Sequence, residues 1–151
     1  MRQTKIIVDA NIVFSGILNS NGKIGDLLIN SENYFNFIAP EFLHTEIRKH
    51  YSKLTSLSGL SLEQIQEAEF FITRNLTFIS EEQISKSAWK KAIELVSNID
   101  PNDAPYIAYC KHFKCKLWSG DKQLIKGLSK KGFSNIFSTE ELFQLRESKR
   151  K

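Results

Sequence analysis

Cysteine is nearly absent from this chain: Cys110 and Cys115 are the only two in 151 residues. A disulfide framework in so short a sequence needs more. With His112 between them they make three candidate metal ligands, and no second Cys/His cluster completes a tetrahedral site. They read instead as reduced thiols packed in a core. Long apolar runs are missing too. None approaches the roughly 20 residues a membrane span requires, although 41% of the residues are hydrophobic. The opening run Lys5-Ile6-Ile7-Val8 is strand-like and ends in Asp9, unlike a signal peptide with its longer apolar stretch and small-residue cleavage site. The expectation is a soluble, cytoplasmic protein without membrane contact. Repeats, low-complexity stretches and interdomain linkers are also lacking. Charge excludes little: a net +4 and a pI near 9.0 permit a polyanionic partner without identifying one.

What is present fits one compact domain with a real core. Apolar runs alternate with helical patterns. Lys5–Val8 reads as a buried strand, followed by short helices over Asn11–Asn19 and Ile24–Ile29. Tyr34–Ile38 is a second strand, stopped by Pro40. The spacing of Phe42, Leu43, Ile47 and Tyr51 predicts a long helix from Glu41 to about Leu54. Ser61 opens a helix reaching about Asn75, and Leu76–Ile79 is a short strand. Ser80 is expected to cap a helix that packs Ile84, Ala88, Leu95 and Val96. A helix over Asn102–Phe113 tolerates Pro105 in its first turn. Lys116–Trp118 is a strand, Asp121–Lys130 a helix, Asn135–Phe137 a last strand, and Thr139 starts the closing helix. The basic end from Arg146 to Lys151 is expected to fray. Short strands separated by helices imply an α/β fold, a central parallel sheet with helices on both faces.

In such sheets ligands bind beyond the carboxyl ends of the strands, and that rule selects among the acids. Asp9 directly follows the first strand, and Asp121 follows Leu117-Trp118 through Ser119-Gly120. Either one alone reads equally well as a helix N-cap. Asp103 lies in the first turn of the helix carrying Ile107 and Ala108, where it would suit the helix dipole. Glu46 sits one turn before His50, and its default is a solvated helix position. Together the four are a set that hard cations explain: Mg²⁺ takes oxygen ligands, commonly a carboxylate or two with waters and phosphates. Uncompensated, such acids repel one another and resist ionisation.

These segments, in this order, resemble the PIN-domain family, which includes VapC-type toxins and other metal-dependent ribonucleases. The likeness runs from Lys5 to the closing helix. Ile6-Ile7-Val8-Asp9-Ala10-Asn11-Ile12 matches the opening strand and first acid, and Pro40-Glu41-Phe42-Leu43-His44-Thr45-Glu46-Ile47 is similar to the second-acid segment. Asp103-Ala104-Pro105-Tyr106-Ile107-Ala108 matches the third, and Leu117-Trp118-Ser119-Gly120-Asp121 the fourth. The resemblance implies a three-layer α/β/α fold, with a PIN-like nuclease domain over residues 1–147 and a basic tail over 148–151. It implies Mg²⁺ or Mn²⁺ and endonucleolytic hydrolysis of RNA, with Asp9, Glu46, Asp103 and Asp121 as metal ligands and catalytic groups. Asp9, Asp103 and Asp121 would hold the metal, while Glu46 ligates it or orients the attacking water. Asn11 and Ser119 would supply hydrogen bonds to ligands or to phosphate. Asp100, three residues before Asp103, would support it or stand in as a ligand. Many members pair with a small antitoxin and dimerise, so both partners are implied, as is a role as the toxin of a toxin–antitoxin pair.

Lys122, Lys126 and Lys130 share one helix face beside the proposed site. Lys122 and Lys126 are the candidates for RNA phosphates, against the alternative of a solvated face. Competing functions fit less well. A haloacid-dehalogenase-like phosphatase wants a second Asp two residues after the first, where Asn11 stands. A receiver domain wants an acidic pair near the first strand. The non-enzymatic alternative is a catalytically degenerate PIN-fold RNA-binding or scaffold protein, against which all four acid positions are intact.

Overall fold

The computed structural model describes residues 3–150, so Met1, Arg2 and Lys151 lie outside the described residues. Apolar and aromatic runs form five strands: β1 (Thr4–Val8), β2 (Phe35–Pro40), β3 (Leu76–Ile79), β4 (Lys116–Trp118) and β5 (Ile136–Phe137). All pair in parallel, in the order β3-β2-β1-β4-β5. Successive side chains of a strand point to opposite faces. Ile6 and Val8 of β1, Phe35 and Phe37 of β2 and Trp118 of β4 therefore enter one core, and Ile7, Ile38 and Leu117 enter another. Over the first face lie α1 (Ala10–Leu18), α2 (Lys23–Asn30), α3 (Leu43–Lys49), α4 (Tyr51–Ser58), α5 (Leu62–Thr73) and α9 (Thr139–Arg150). Over the second lie α6 (Lys86–Val96), α7 (Ala104–Phe113) and α8 (Lys122–Lys130). The expected three-layer α/β/α arrangement is what the chain builds, because strands apolar on both faces need cover on both.

The order of the strands places the site. From β1 the chain moves outward through β2 and β3, then returns to the other side of β1 for β4 and β5. The crevice where the winding reverses, between β1 and β4, is where open α/β sheets bind ligands.

Three local expectations are corrected. The single helix over residues 41–54 is two, α3 and α4, broken at His50, whose backbone leaves the helical region (φ −100°, ψ 8°). The His50 ring is the cause. Its Nδ1 lies 2.7 Å from the Glu46 carbonyl, the acceptor a continuous helix would offer to the His50 backbone N–H. That N–H turns to the Ile47 carbonyl instead, at 3.1 Å. Ser80 caps only a 3₁₀ turn over Glu81–Gln83, and α6 begins later, capped by Ser85 through the Ala88 N–H at 3.1 Å. Ile84 sits in the extended stretch between them, though its side chain is still buried.

The third correction concerns the basic end. Arg146 does not fray: it is 1% exposed, inside α9. Its guanidinium donates to Asp26 Oδ2 at 2.6 Å and to Ser31 Oγ at 3.2 Å, clamping α9 onto α2. The bond from Arg146 holds the Asp26 carboxyl below the usual carboxylate range. Ser148, Lys149 and Arg150 continue the helix. Cys110 is buried and Cys115 half-buried, both as free thiols. Among the described residues no helix is long and apolar enough to cross a membrane.

Candidate active site

Asp9 is the first residue beyond β1 and the N-cap of α1. Its Oδ1 accepts the Asn11 backbone N–H at 2.9 Å, and its own N–H donates to the Trp118 carbonyl at 3.2 Å, extending the β1–β4 pairing by one step. Its Oδ2 accepts the Ser119 hydroxyl at 2.7 Å. Ser119 is fully buried, and its Oγ also accepts the Asp121 backbone N–H at 3.1 Å. Asp121 in turn caps α8, its Oδ1 accepting the Leu124 N–H at 3.1 Å. One hydroxyl thus ties the two strand-end acids together across the reversal point. The hydrogen-bonding capacity of Ser119 goes to the acids themselves and is not open to a phosphate. Both N-cap readings of these aspartates are also correct: each acid caps a helix and stands at the crevice.

Asp9, Glu46 and Asp103 line one cleft of about 760 Å³, together with Asn11, His50, Asp100 and Tyr106. Asp121 does not line it. It stands behind Ser119, yet its charge is felt by both Asp9 and Asp103. Burial pushes the Asp9 carboxyl up; the Ser119 and Asn11 bonds pull it back, and the Asp121 charge adds to the rise. Asp103 is raised further, to about 7, by burial first and then by the charges of Asp9, Asp100 and Asp121. Although Asp103 opens α7, its side chain makes no capping bond there. Asp100 caps the 3₁₀ turn over Pro101–Asp103 by accepting the Asn102 N–H at 3.0 Å. Glu46, on α3, is partly exposed and stands 3.6 Å from the exposed Lys49 Nζ.

Among the described residues no lysine or arginine lines this cleft, whereas the hollow at the opposite rim holds Lys5, Lys114 and Lys116 and no acid. Lys122 and Lys126 are exposed on α8 and line neither. Tyr106 is not among the candidates the sequence offers. Its only signal was its place three residues after Asp103, which puts the two on one helix face. Among the described residues no three Asp, Glu, His or Cys side chains stand close enough to form a ready-made cation cage. The donors that converge are hard carboxylate oxygens, the kind Mg²⁺ and Mn²⁺ take. Their mutual repulsion, visible at Asp9 and Asp103, is what a cation among them would relieve. In donor chemistry and in charge the residues fit such an ion, with Asp9, Glu46 and Asp103 lining the cleft and Asp121 tied to Asp9 through Ser119.

Fold and site together define a doubly wound α/β protein with a carboxylate-lined cleft at its topological switch point. The family model of the PIN domain matches residues 7–144. The chain belongs to the PIN-domain family. Solved structures share the fold at low identity. A chain of VapBC2 from Rickettsia felis, crystallised bound to a DNA fragment from its promoter, superposes with a TM-score of 0.64 at 14% identity, over 89% of this chain and 97% of that one. PAE2754 from Pyrobaculum aerophilum gives a TM-score of 0.67 at 12% identity, over 96% of this chain and 90% of that one. No curated protein matches the chain.

Proposed function

We propose that this chain is a metal-dependent endoribonuclease using Mg²⁺ or Mn²⁺. The observation that carries the proposal is the Asp9–Ser119–Asp121 tie at the switch point, with Glu46 and Asp103 lining one cleft with Asp9. Asp9, Asp103 and Asp121 would hold the cation. Bound there, the cation supplies Lewis-acid activation of water and neutralises charge on the phosphodiester. Ser119 and the Asn11 backbone keep the Asp9 carboxylate fixed. Glu46, partly exposed and on a different element, would orient the attacking water and take its proton. With no lysine or arginine among the described residues lining the cleft, its acids need to be neutralised before a phosphate is admitted, which ties substrate binding to cation binding. By the family's chemistry the products carry a 5′-phosphate and a 3′-hydroxyl. The proposal extends to a small antitoxin partner and a homodimer, and to a cytoplasmic place of action.

The test is incubation of the protein with a mixed RNA pool in Mn²⁺, in Mg²⁺ and in EDTA. Cleavage with either metal and none in EDTA is the expected result. RNA that is bound but left intact in both metals would favour the degenerate RNA-binding reading, which the lack of a preformed cage among the described residues also favours.

Lys122 follows Asp121 and is exposed at the start of α8. If it meets a phosphate, Lys122→Ala should weaken binding about equally for all RNA sequences and lower the salt slope by roughly 1. An unchanged slope in binding titrations across salt concentrations returns Lys122 to the solvated face.

A further inference from the structure

Tyr106 carries the one buried side-chain polar atom, among the described residues, without a hydrogen-bond partner. The residue is 4% exposed; the Ala10 backbone N–H approaches its oxygen, but its own O–H finds no acceptor. Phenylalanine would fill the same space without burying an unused donor, so the empty protein gives no reason for the O–H. The surroundings supply one. Burial, then the charges of Asp9, Glu46 and Asp103, hold the phenol well above its ordinary range, so it is an O–H donor at every physiological pH. Three carboxylates surround a donor that touches none of them.

Which carboxylate it serves follows from the packing. The Tyr106 ring meets the Phe42 ring edge-on, with centroids 5.8 Å apart. Phe42 caps α3 one helical turn before Glu46, whose N–H donates to the Phe42 carbonyl at 3.0 Å, so the two lie on one side of the helix start. Both Asp9 oxygens already accept hydrogen bonds, from Asn11 and Ser119. Glu46 has the longer side chain. Its carboxylate has only the 3.6 Å approach of Lys49, between two solvent-reached groups, and such pairs hold little.

We propose that Tyr106 is a positioning residue: its hydroxyl donates a hydrogen bond to the Glu46 carboxylate when Glu46 turns from Lys49 into the cleft toward a bound divalent cation. This rests on the metal-dependent reading above. It also accounts for acids that share a cleft without forming a cage, since Glu46 has an outward and an inward partner and the cation selects the inward one. Metal-ligating carboxylates are themselves hydrogen-bonded, and loss of such a partner costs roughly 10–100-fold in metal affinity.

The experiment is a calorimetric titration of Mn²⁺ into the wild type, Tyr106→Phe, Glu46→Gln and the double variant, with thermal melts of all four in EDTA. Tyr106→Phe is expected to bind Mn²⁺ about tenfold more weakly while melting at or above the wild type, because it removes an unpaired hydroxyl. In the Glu46→Gln background the same substitution should cost less than about twofold, the mark of two residues acting through one bond. Equal Mn²⁺ affinity of Tyr106→Phe and wild type overturns the proposal, as does an equal loss in both backgrounds. Melting of Tyr106→Phe below the wild type in EDTA overturns it too, since the hydroxyl would then serve the empty fold. A wild type that takes up no Mn²⁺ fails at the metal reading itself, before any variant is compared.

Discussion

Asp9→Asn should abolish Mn²⁺-dependent RNA cleavage, lowering it by more than about a hundredfold. That exceeds what the loss of a mere supporting contact to a metal ligand costs. The residue is central in two ways. It is the most buried of the four acids, at 4% exposure, and both its oxygens are already accepting, from the Asn11 N–H and the Ser119 hydroxyl. An asparagine keeps the shape but replaces one oxygen by an NH₂ group. If that group faces Asn11, the α1 cap is lost, at about 0.5–2 kcal/mol. If it faces Ser119, two donors meet, and the serine must turn its hydrogen away, weakening the tie that also holds the Asp121 backbone. Either way the carboxylate charge leaves the centre of the cleft. Cleavage assays on wild type and variant purified alike, each with and without EDTA, make the measurement. Undiminished cleavage by Asp9→Asn would place the chemistry elsewhere.

Asp103→Asn should stabilise the metal-free protein while removing its response to Mn²⁺. The Asp103 carboxyl is raised to about 7 in the folded state, by burial and by Asp9, Asp100 and Asp121, against about 3.9 in the unfolded chain. Between these values the folded state holds the proton more tightly than the unfolded one, so stability falls as pH rises from about 4 to about 7. At neutral pH the folded protein carries the cost of ionising or keeping protonated a carboxyl that the unfolded chain ionises freely. The group is only half-buried, so solvent screening brings that cost to the order of 1 kcal/mol. Neutralisation should then raise the melting temperature in EDTA near pH 7 by a few degrees for a domain this size, and the gain should vanish near pH 4. Mn²⁺ should stabilise the wild type by linkage and the variant much less. A purely helix-terminal role predicts the reverse, a loss of about 0.3–1 kcal/mol with or without metal. The absence of any capping bond from the Asp103 side chain argues against that role. Melts of both proteins at pH 4 and 7, in EDTA and in Mn²⁺, separate the two. A variant less stable than wild type in EDTA at pH 7, with an equal Mn²⁺ response, takes Asp103 out of the site.

Local features of the chain were legible where their physics is local. Asp9 ends an apolar run, and Ser61 with Gln64 forms the capping box that a helix start requires. The start of α6 is not legible in this way, because Ser80 and Ser85 are both competent caps and only the extended Ile84 between them decides which one opens the helix. The break between α3 and α4 is hidden as well. Apolar spacing continues through His50, and nothing in a periodic pattern shows a ring taking over a backbone acceptor.

Alternation of apolar strands and helices was enough to determine a parallel sheet covered on both sides, because strands buried on both faces admit few other arrangements. The acids at the ends of two strands were likewise determined by the sequence, since an acid that ends an apolar run stands at a sheet rim wherever its strand lies. Which strands are neighbours was not. Only the tertiary structure sets β4 beside β1, and only that pairing brings Ser119 within 2.7 Å of Asp9 from 110 positions away. The same holds for Glu46 and Tyr106, which line one cleft from opposite layers at the rim of the sheet, and for Arg146, which reads as part of a basic tail until α2 supplies Asp26 and Ser31. Propensity and periodicity act over a few residues, whereas burial and the charge of neighbouring carboxylates depend on contacts between distant segments, and those exist only once the chain has folded.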